Sequence, residues 1–229
     1  MRRSIVAALL IAATAAPAAA ADRSFAASGF DKIDLAAAAT VDVHSGGDFA
    51  VRADGDPRLL DRLDIGVRDG TLVIGWRRGS QVHLDRNSKL HIAVTLPRIA
   101  AATISGAGSL TIDRAEVPTF AATLRGAGTL RIATLVTRRA RLDMNGAGQI
   151  IAAGSADQVD AHVNGVGAID AAQLAARAGS LAMSGTGSIK ARVNGPADVT
   201  MAGVGSVDVQ GQARCTVHKS GFGSVHCGA

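Results

Sequence analysis

Apolar and polar residues alternate along most of this chain, and the alternation is organised around a recurring glycine pair. The fourth residue after the first glycine of each pair is always aliphatic: Leu110, Leu130, Ile150, Ile169, Ile189, Val207 and Val225. The second residue before that glycine is apolar until the last copy: Ile104, Leu124, Met144, Val163, Met183, Met201 and then Lys219. Alternation with a period of two residues indicates half-buried β-strands rather than helices.

The glycine pair has the form Gly-x-Gly and recurs seven times from residue 100 onward, with spacings of 20, 20, 19, 20, 18 and 18 residues. A fixed period of this length indicates a solenoid. The sequence therefore predicts an all-β fold, a right-handed parallel β-solenoid or β-helix with about 18–20 residues per coil. The glycines of the seven copies are Gly106 and Gly108, Gly126 and Gly128, Gly146 and Gly148, Gly165 and Gly167, Gly185 and Gly187, Gly203 and Gly205, and Gly221 and Gly223.

These glycines are predicted to be structural residues at the corners of the coils. Glycine tolerates the positive φ of a sharp corner, and coils stacked about 4.8 Å apart leave little room for a bulky side chain that is repeated there. A nucleotide-binding loop needs a third glycine, which none of the copies has. A calcium-binding roll needs Asp two residues after the second glycine, where this chain has Leu110, Leu130 and their equivalents.

Residues 22–99 alternate less regularly than the rest. Val41 and Val43 lie on one side of a predicted strand, as do Leu72 and Ile74, and turn residues separate these runs. Leu59 to Ile65 is expected to form a short helical or irregular excursion. We expect one domain, residues 22–229, in which residues 22–99 form irregular opening coils and a cap, and residues 100–229 form the regular repeats.

The first residues, 1–21, have the pattern of a secretory signal peptide. A basic start, Met1-Arg2-Arg3, is followed by an apolar run from Ile5 to Ala16 and by small residues, Ala18 to Ala21, that suit a cleavage site. No later stretch reaches 18 apolar residues, so no membrane span is expected in the mature chain. The prediction is an exported protein of the periplasm or of the cell surface or extracellular space.

The charge balance of the mature chain changes this picture little. Loss of Arg2 and Arg3 from the 24 basic residues leaves 22, against 19 acidic residues, and the excess is dispersed. Nucleic-acid binding is not expected, since it normally requires a basic stripe. The local clusters Arg77-Arg78 and Arg138-Arg139-Arg141 are interpreted as solvated loop or edge charges in preference to an anion site.

Several short segments in order resemble a known bacterial family. They are the opening FDKIDL, the hairpin DGTLVIGW, the strand LHIAVTLP and the repeated SGAG. Over about residues 28 to 227 the chain is similar to the family described as putative auto-transporter adhesin, head GIN domain. The resemblance implies an exported, all-β, parallel β-helix-like protein. It supplies no catalytic residues to transfer.

The two cysteines lie near two histidines at the C-terminal end. Zinc would need ligands that converge, but Cys215 and Cys227 occupy inward columns whereas His218 and His226 occupy outward ones. An even number of cysteines in an exported chain favours pairing. The sequence predicts a Cys215–Cys227 disulfide and no metal or other cofactor.

The function expected from these patterns is non-enzymatic. An adhesin-like binding protein or envelope scaffold would present a polar sheet face, for which Ser109, Thr129, Ser188, Ser206 and Ser224 are predicted to form one outward column. Its partner is unknown, with an envelope glycan or a surface protein as candidates; an accessory role in envelope stress is a third possibility. The alternative is a polysaccharide-active β-helix enzyme in the periplasm or outside the cell.

That enzymatic alternative has little support in the sequence. Glycan cleavage needs clustered carboxylates or basic residues and usually an aromatic platform for the sugar ring. Outward carboxylates near the repeats, Asp143, Asp170 and Asp208, fall in different coils. Trp76 is the only candidate platform, and a core or cap role suits it better. No catalytic residue is therefore predicted.

Overall fold

The structure, a computed structural model, describes residues 21–80 and 90–228. The predicted signal peptide lies outside the described residues except for Ala21. The elements follow in chain order: β1 (Ala21–Phe25), β2 (Lys32–Leu35), β3 (Ala39–Ser45), β4 (Ala50–Gly55), α1 (Pro57–Leu60), β5 (Leu63–Arg68), β6 (Thr71–Trp76), β7 (Leu90–Leu96), β8 (Ala101–Ile104), β9 (Ala107–Glu116), β10 (Thr119–Leu124), β11 (Ala127–Met144), β12 (Ala147–Val163), β13 (Val166–Met183), β14 (Thr186–Val193), β15 (Pro196–Met201), β16 (Val204–Gln210), β17 (Arg214–Lys219) and β18 (Phe222–Cys227).

The repeats stack as parallel strands in the register that the glycine spacing predicts. Equivalent glycines of neighbouring coils pair with each other, as Gly128 does with Gly148 and Gly148 with Gly167. The aliphatic residues that follow also align, so that Leu130, Ile150 and Ile169 form one continuous inward column. The predicted parallel β-solenoid is confirmed.

Each regular coil has three faces, which the long strands follow around two of the corners. One coil, made of the end of β11 and the start of β12, illustrates the arrangement. Its first face is residues 139–144, its second face is residues 147–152 and its third face is residues 153–156. Gly-x-Gly separates the first face from the second. At the other corners two consecutive side chains are exposed, as in Ala133-Thr134 and Arg138-Arg139, which shifts the alternation by one residue.

The third face shortens towards the C-terminal end. β13 and β14 pair from Val166 to Ala171, after which the register jumps to Ala175. Residues 172–174 thus have no counterpart in the next coil. The next coil has one extra residue between Val193 and Ala197, so the net loss is two residues, which explains why the glycine spacing falls from 20 to 18 in the last coils.

Aliphatic side chains fill the interior. The column that contains Leu130 and Ile150 and the column that contains Leu124 and Met144 are fully buried. Complete burial of such a side chain contributes about 1.5–3 kcal/mol. In the described chain, all buried side-chain nitrogen and oxygen atoms have hydrogen-bond partners. The core is a packed hydrophobic interior.

The opening coils are stacked out of chain order. β2 pairs in parallel with both β6 and β8, and β3 pairs in parallel with both β7 and β9. Residues 32–45 form the first coil along the chain but lie second in the stack. Residues 71–96, which come later in the chain, form the coil at the N-terminal end of the stack. The sequence indicated opening coils but not this exchange of positions.

Antiparallel pairing and a short helix cover the N-terminal end. β4 pairs antiparallel with β7 and with β1, and β5 pairs antiparallel with β6. The excursion expected at Leu59 to Ile65 is a helix that begins earlier, at Pro57, where Asp56 accepts a hydrogen bond from the Arg58 amide (2.8 Å). Leu63 already belongs to β5. The buried side chains of Leu59 and Leu60 close the core at this end.

The C-terminal end is closed by a disulfide, as predicted. Cys215 and Cys227 are bonded, with 6.3 Å between their Cα atoms. Their columns are the inward ones, because Cys215 pairs with the buried Ala197 and Cys227 with the buried Val209. Burial, however, is incomplete: Cys215 is partly buried and Cys227 is exposed, since no further coil covers them.

Candidate functional site

The Gly-x-Gly corners are occupied by the protein's own backbone. A Cβ on Gly126 would overlap the carbonyl oxygen of Gly106, and a Cβ at any of the fourteen predicted turn glycines would overlap backbone atoms of an adjoining coil. The corner amides are also used, since those of Gly126 and Ala127 donate to the carbonyls of Ile104 and Gly106. These amides are therefore engaged by the neighbouring backbone, in contrast to those of a phosphate-binding loop.

The predicted Ser/Thr column lies on the second face, but it is not continuous. Ser109, Thr129, Ser188, Ser206 and Ser224 align in register, with Gln149 and Ala168 between Thr129 and Ser188. All but Ser224 are partly buried. The column forms a flat polar strip without a concavity.

The three outward carboxylates that the sequence singled out do not come together. Asp170 and Asp208 belong to one column of the second face and are separated there by Lys190. Asp143 lies on the first face. Alternating charge along a column stabilises neighbouring strands, so Asp170 and Asp208 have a structural explanation. Lys190 lies between the two carboxylates of this column, and Asp143 is on another face.

Polar side chains form a connected cluster in the middle of the first face, which we call the polar cluster: Arg139, Arg141, Asp143, Gln158 and Asp160. Arg141 Nε lies 2.7 Å from an Asp143 carboxylate oxygen. Arg139 donates to the Gln158 side-chain oxygen (3.1 Å), and the Gln158 amide donates to Asp160 (2.8 Å). The hydrogen bond that Arg141 donates to Asp143, together with the charges of Asp143 and Asp160, raises the pKa of Arg141. The carboxylates here are held by guanidinium groups.

A groove runs along the corner between the third face and the first face of the next coil. We call it the axial groove; its volume is about 720 Å³ and it is lined by residues 116–118, 136–138, 155–157, 175–177 and Asn194. The groove therefore crosses successive coils along the solenoid axis. Its floor includes the buried Ala156 and Ala176, and Val136 is 44% exposed on its wall. The groove ends where the third face shortens.

The axial groove carries a charged column and continues into two smaller hollows. Pairing of the flanking residues places Arg138, Asp157 and Arg177 at the same position in successive coils, and Arg177 forms an ion pair with Asp157 (3.3 Å). One hollow is lined by Arg98, Arg114 and Glu116, among others. The other contains Arg138, Arg139, Asp157 and Gln158 and links the groove to the polar cluster.

The sequence shows the arginine cluster Arg138-Arg139-Arg141, but it does not reveal the groove. The two consecutive exposed residues Arg138 and Arg139 interrupt the period-two alternation, and this interruption is the signal of a corner. Arg138 and Arg139 line the groove or its adjoining hollow, whereas Arg141 points outward on the first face. The interpretation as solvated edge charges was incomplete because it treated the cluster within one coil.

The remaining candidate residues lie apart from the groove. His218 pairs with Thr200 on the first face and His226 with Asp208 on the second, while both thiols are in the disulfide. Trp76 packs partly buried against the core of the N-terminal cap. Among the residues that the structure describes, no group of three or more His, Cys, Asp or Glu side chains could hold a metal ion.

Fold and surface together define a class of protein: an all-β solenoid with a packed core and an elongated external groove. A sequence model of the family described as putative auto-transporter adhesin, head GIN domain, matches residues 29–213. The chain belongs to this family, which confirms the resemblance. The one helix in the described residues, α1, is too short to cross a membrane.

Solved structures show the same fold. A putative adhesin from Bacteroides fragilis superposes with a TM-score of 0.86 at 22% identity, covering 93% of this chain and 98% of that chain. A putative lipid binding protein from Parabacteroides distasonis has a TM-score of 0.70 at 18% identity, covering 93% and 97%. A putative adhesin from Parabacteroides merdae has a TM-score of 0.64 at 16% identity, covering 93% and 97%. No curated protein matches the chain.

Proposed function

We propose that the protein is an exported, non-enzymatic binding module of the adhesin type, which attaches to a cell-envelope or surface component through the axial groove. The observation that carries this proposal is the groove itself, an elongated concavity that is lined by residues of five coils and opens beside the polar cluster. Export is supported by the pattern of residues 1–21. The final location, periplasm or cell surface, is part of the proposal.

The shape of the groove favours an extended ligand that lies along the solenoid axis. Each coil contributes a similar short segment to the groove, so the site is built by repetition and not by one loop. Repeat proteins use such extended surfaces for binding. An enclosed apolar cavity would favour a lipid, which the name of one structural relative suggests. Here aliphatic columns such as Leu130–Ile150–Ile169 fill the interior.

A catalytic role has weaker support than binding. A general acid or base needs a carboxyl group that can exchange a proton with the substrate. Asp143 is bound to Arg141, and Asp157 in the groove is paired with Arg177. Both carboxylates are therefore engaged by neighbouring side chains of the protein.

The proposal is tested by binding of the mature protein, residues 22–229, to a cell-envelope fraction of the source bacterium. Saturable binding is expected, and no turnover of polysaccharides in the same fraction. Ala175→Trp places a large side chain in the groove at an exposed position and should weaken binding at least about tenfold. Ala133→Trp is the matched control, because Ala133 is an exposed alanine at the corner between the second and third faces.

Two results would contradict the proposal. One is equal binding by Ala175→Trp and Ala133→Trp, which would place the contact elsewhere. The other is turnover of a polysaccharide that a single change of an Asp or Arg abolishes, which would establish an enzyme.

A further inference from the structure

We infer that the axial groove binds a linear acidic polysaccharide, with anionic groups of the chain against Arg98, Arg138 and Arg177. This inference rests on the proposed function and specifies its ligand. Three properties support it: the excess of arginine in the groove and its two hollows, the availability of several of these arginines, and the alignment of the groove with the solenoid axis.

The groove and its two hollows concentrate positive charge that the overall balance of the chain does not reveal. Five arginines line them: Arg98, Arg114, Arg138, Arg139 and Arg177. Against these stand Glu116 and Asp157. The excess is therefore three positive charges in one stretch of surface, equal to the whole net charge of the mature chain. Within the axial groove itself Glu116 and Asp157 balance Arg138 and Arg177, so the excess lies in the two adjoining hollows, where it attracts ligands of the opposite sign.

Several of these guanidinium groups are available to a ligand. Arg177 is paired with Asp157 (3.3 Å), and Arg139 contacts Gln158 and Asp160 on the first face. Arg98, Arg114 and Arg138 form no ion pair with any described residue, and all three are exposed. An arginine binds a carboxylate or sulfate through two parallel N–H groups, which makes it the favoured residue for planar anions.

The arginines are spaced along the axis in a way that suits a repeating chain. Arg138 and Arg177 occupy the same corner position two coils apart. With about 4.8 Å between neighbouring strands, their backbones are separated by roughly 10 Å. Arg98 lies in the hollow on the other side of Pro118, which extends the basic stretch along the same corner. A linear polymer with an anionic group at intervals would meet successive arginines.

An acidic glycan fits this groove better than a nucleic acid. Proteins that bind single-stranded nucleic acids stack the bases on aromatic side chains. The described residues that line the groove and its two hollows include no aromatic residue. The small floor residues Ala156 and Ala176, together with Thr137, offer a narrow surface for van der Waals contact with a sugar chain.

The test measures binding of the mature protein to polygalacturonate, a polymer of uronic acids, with neutral dextran and single-stranded DNA as comparisons. We expect binding to polygalacturonate that weakens as salt screens the charges, and none to dextran. Arg98→Ala combined with Arg138→Ala should weaken it at least about tenfold. Glu116→Gln should strengthen it, because it removes a like charge from the groove.

Arg125→Ala combined with Arg131→Ala is the matched control, since it also removes two exposed arginines, one beside the glycine corner and one on the second face. It should bind like the wild type, and an equal loss in this variant would show attraction by net charge alone and overturn the inference. Absence of polygalacturonate binding at low salt, or tighter binding of DNA, would also overturn it. If the envelope fraction is still bound and Ala175→Trp still weakens that binding, the proposed function stands and only the acidic ligand is wrong.

Discussion

Glycine in the repeat is required by the adjoining coil as much as by its own turn. At Gly148 the backbone has φ of +135°, and the position that a Cβ would take is occupied by the Gly128 carbonyl group. An alanine there faces both a strained dihedral angle and a backbone collision that no side-chain rotation can relieve. The coil that contains Gly128 is itself paired on its other side with the coil that contains Gly108. It therefore cannot move away to relieve the clash.

Gly148→Ala is therefore expected to lower the free energy of unfolding by at least about 2 kcal/mol, from backbone strain alone. The measurement is urea or thermal unfolding followed by circular dichroism. Gly66→Ala is the matched control, since Gly66 has an ordinary φ and no atom within 4 Å of its would-be Cβ. It should change stability by less than about 0.5 kcal/mol. Equal effects of the two changes would contradict the packing argument.

His91 joins three strands of the N-terminal coils through its two ring nitrogens. Nδ1 lies 2.9 Å from Asp54 on β4, and Nε2 lies 2.8 Å from Asp42 on β3. Thr40 on β3 is its neighbour in register. The pKa of His91 is raised above its ordinary value of 6.5, mainly by the hydrogen bond to the Asp42 carboxylate and next by the hydrogen bond to the Asp54 carboxylate. The imidazolium is thus the form that the folded state stabilises.

The sign of the pH dependence follows from this shift. A raised pKa in the folded state gives stabilisation that is fully present below about pH 6.5 and is lost as the pH rises through the folded pKa. His91→Gln should consequently reduce stability more at about pH 6 than at about pH 8.5. Urea unfolding at the two pH values measures the difference. In an Asp42→Asn, Asp54→Asn background the pH dependence of the His91→Gln effect should disappear, and its persistence would disprove the assignment.

At the scale of elements, the last coil is the least supported part of the stack. β17 and β18 each pair with a strand on one side only, and Val217 is 43% exposed although it lies in an inward column. A terminal coil of this kind frays unless it is tied down. The Cys215–Cys227 disulfide connects β17 and β18. It occupies the inward columns that the core residues Ala197 and Val209 occupy in the preceding coil.

Replacement of both cysteines by serine should destabilise this coil by about 3 kcal/mol, the chain-entropy value for a loop of 12 residues. Hydrogen exchange should show faster opening of residues 214–227, while the central coils keep their protection. Mass spectrometry of the exported wild type should find it two hydrogens lighter than the reduced form. Unchanged exchange in the double variant would show that the disulfide does not support the end.

The strands of the regular repeats were predictable, whereas the order of the opening coils was not. A period of two residues within a period of about 20 specifies both the inward columns and their register. In the opening coils, Ile33 and Leu35 carry the same inward pattern as Leu72 and Ile74. Either strand could occupy either level of the stack, and contacts between residues distant in the chain decide the order.

The site was only partly predictable for a related reason. The sequence contains the cluster Arg138-Arg139-Arg141, but the groove depends on residues from five coils that meet at one corner. Arg138 and Arg177 are 39 positions apart in the chain and share a column only because the register shifts of β11, β12 and β13 fall at corresponding corners. Without these shifts the alternation alone does not show which outward residues line a concavity.

The whole molecule is a stack whose interior is filled by aliphatic side chains, and we therefore place the proposed binding on its outer surface. One end is covered by antiparallel strands and α1, and the other by the disulfide. Of the three corners, the glycine corner is filled by the backbone, and the Gly-x-Gly ridge carries exposed apolar residues such as Val166 and Phe222. The axial groove lies at a different corner and collects the arginines. The central claim is that binding occurs at this corner.

Hydroxyl-radical footprinting of the mature protein, with and without the envelope fraction, tests that claim directly because it reports side-chain exposure at each corner. Val136 on the groove wall is 44% exposed, and Val166 and Phe222 on the glycine ridge are 62% and 84% exposed. The account predicts that bound material lowers the reactivity of Val136 and of the neighbouring segments 116–118 and 155–157, while Val166 and Phe222 react as before. Protection of Val166 and Phe222 with Val136 unchanged would contradict it.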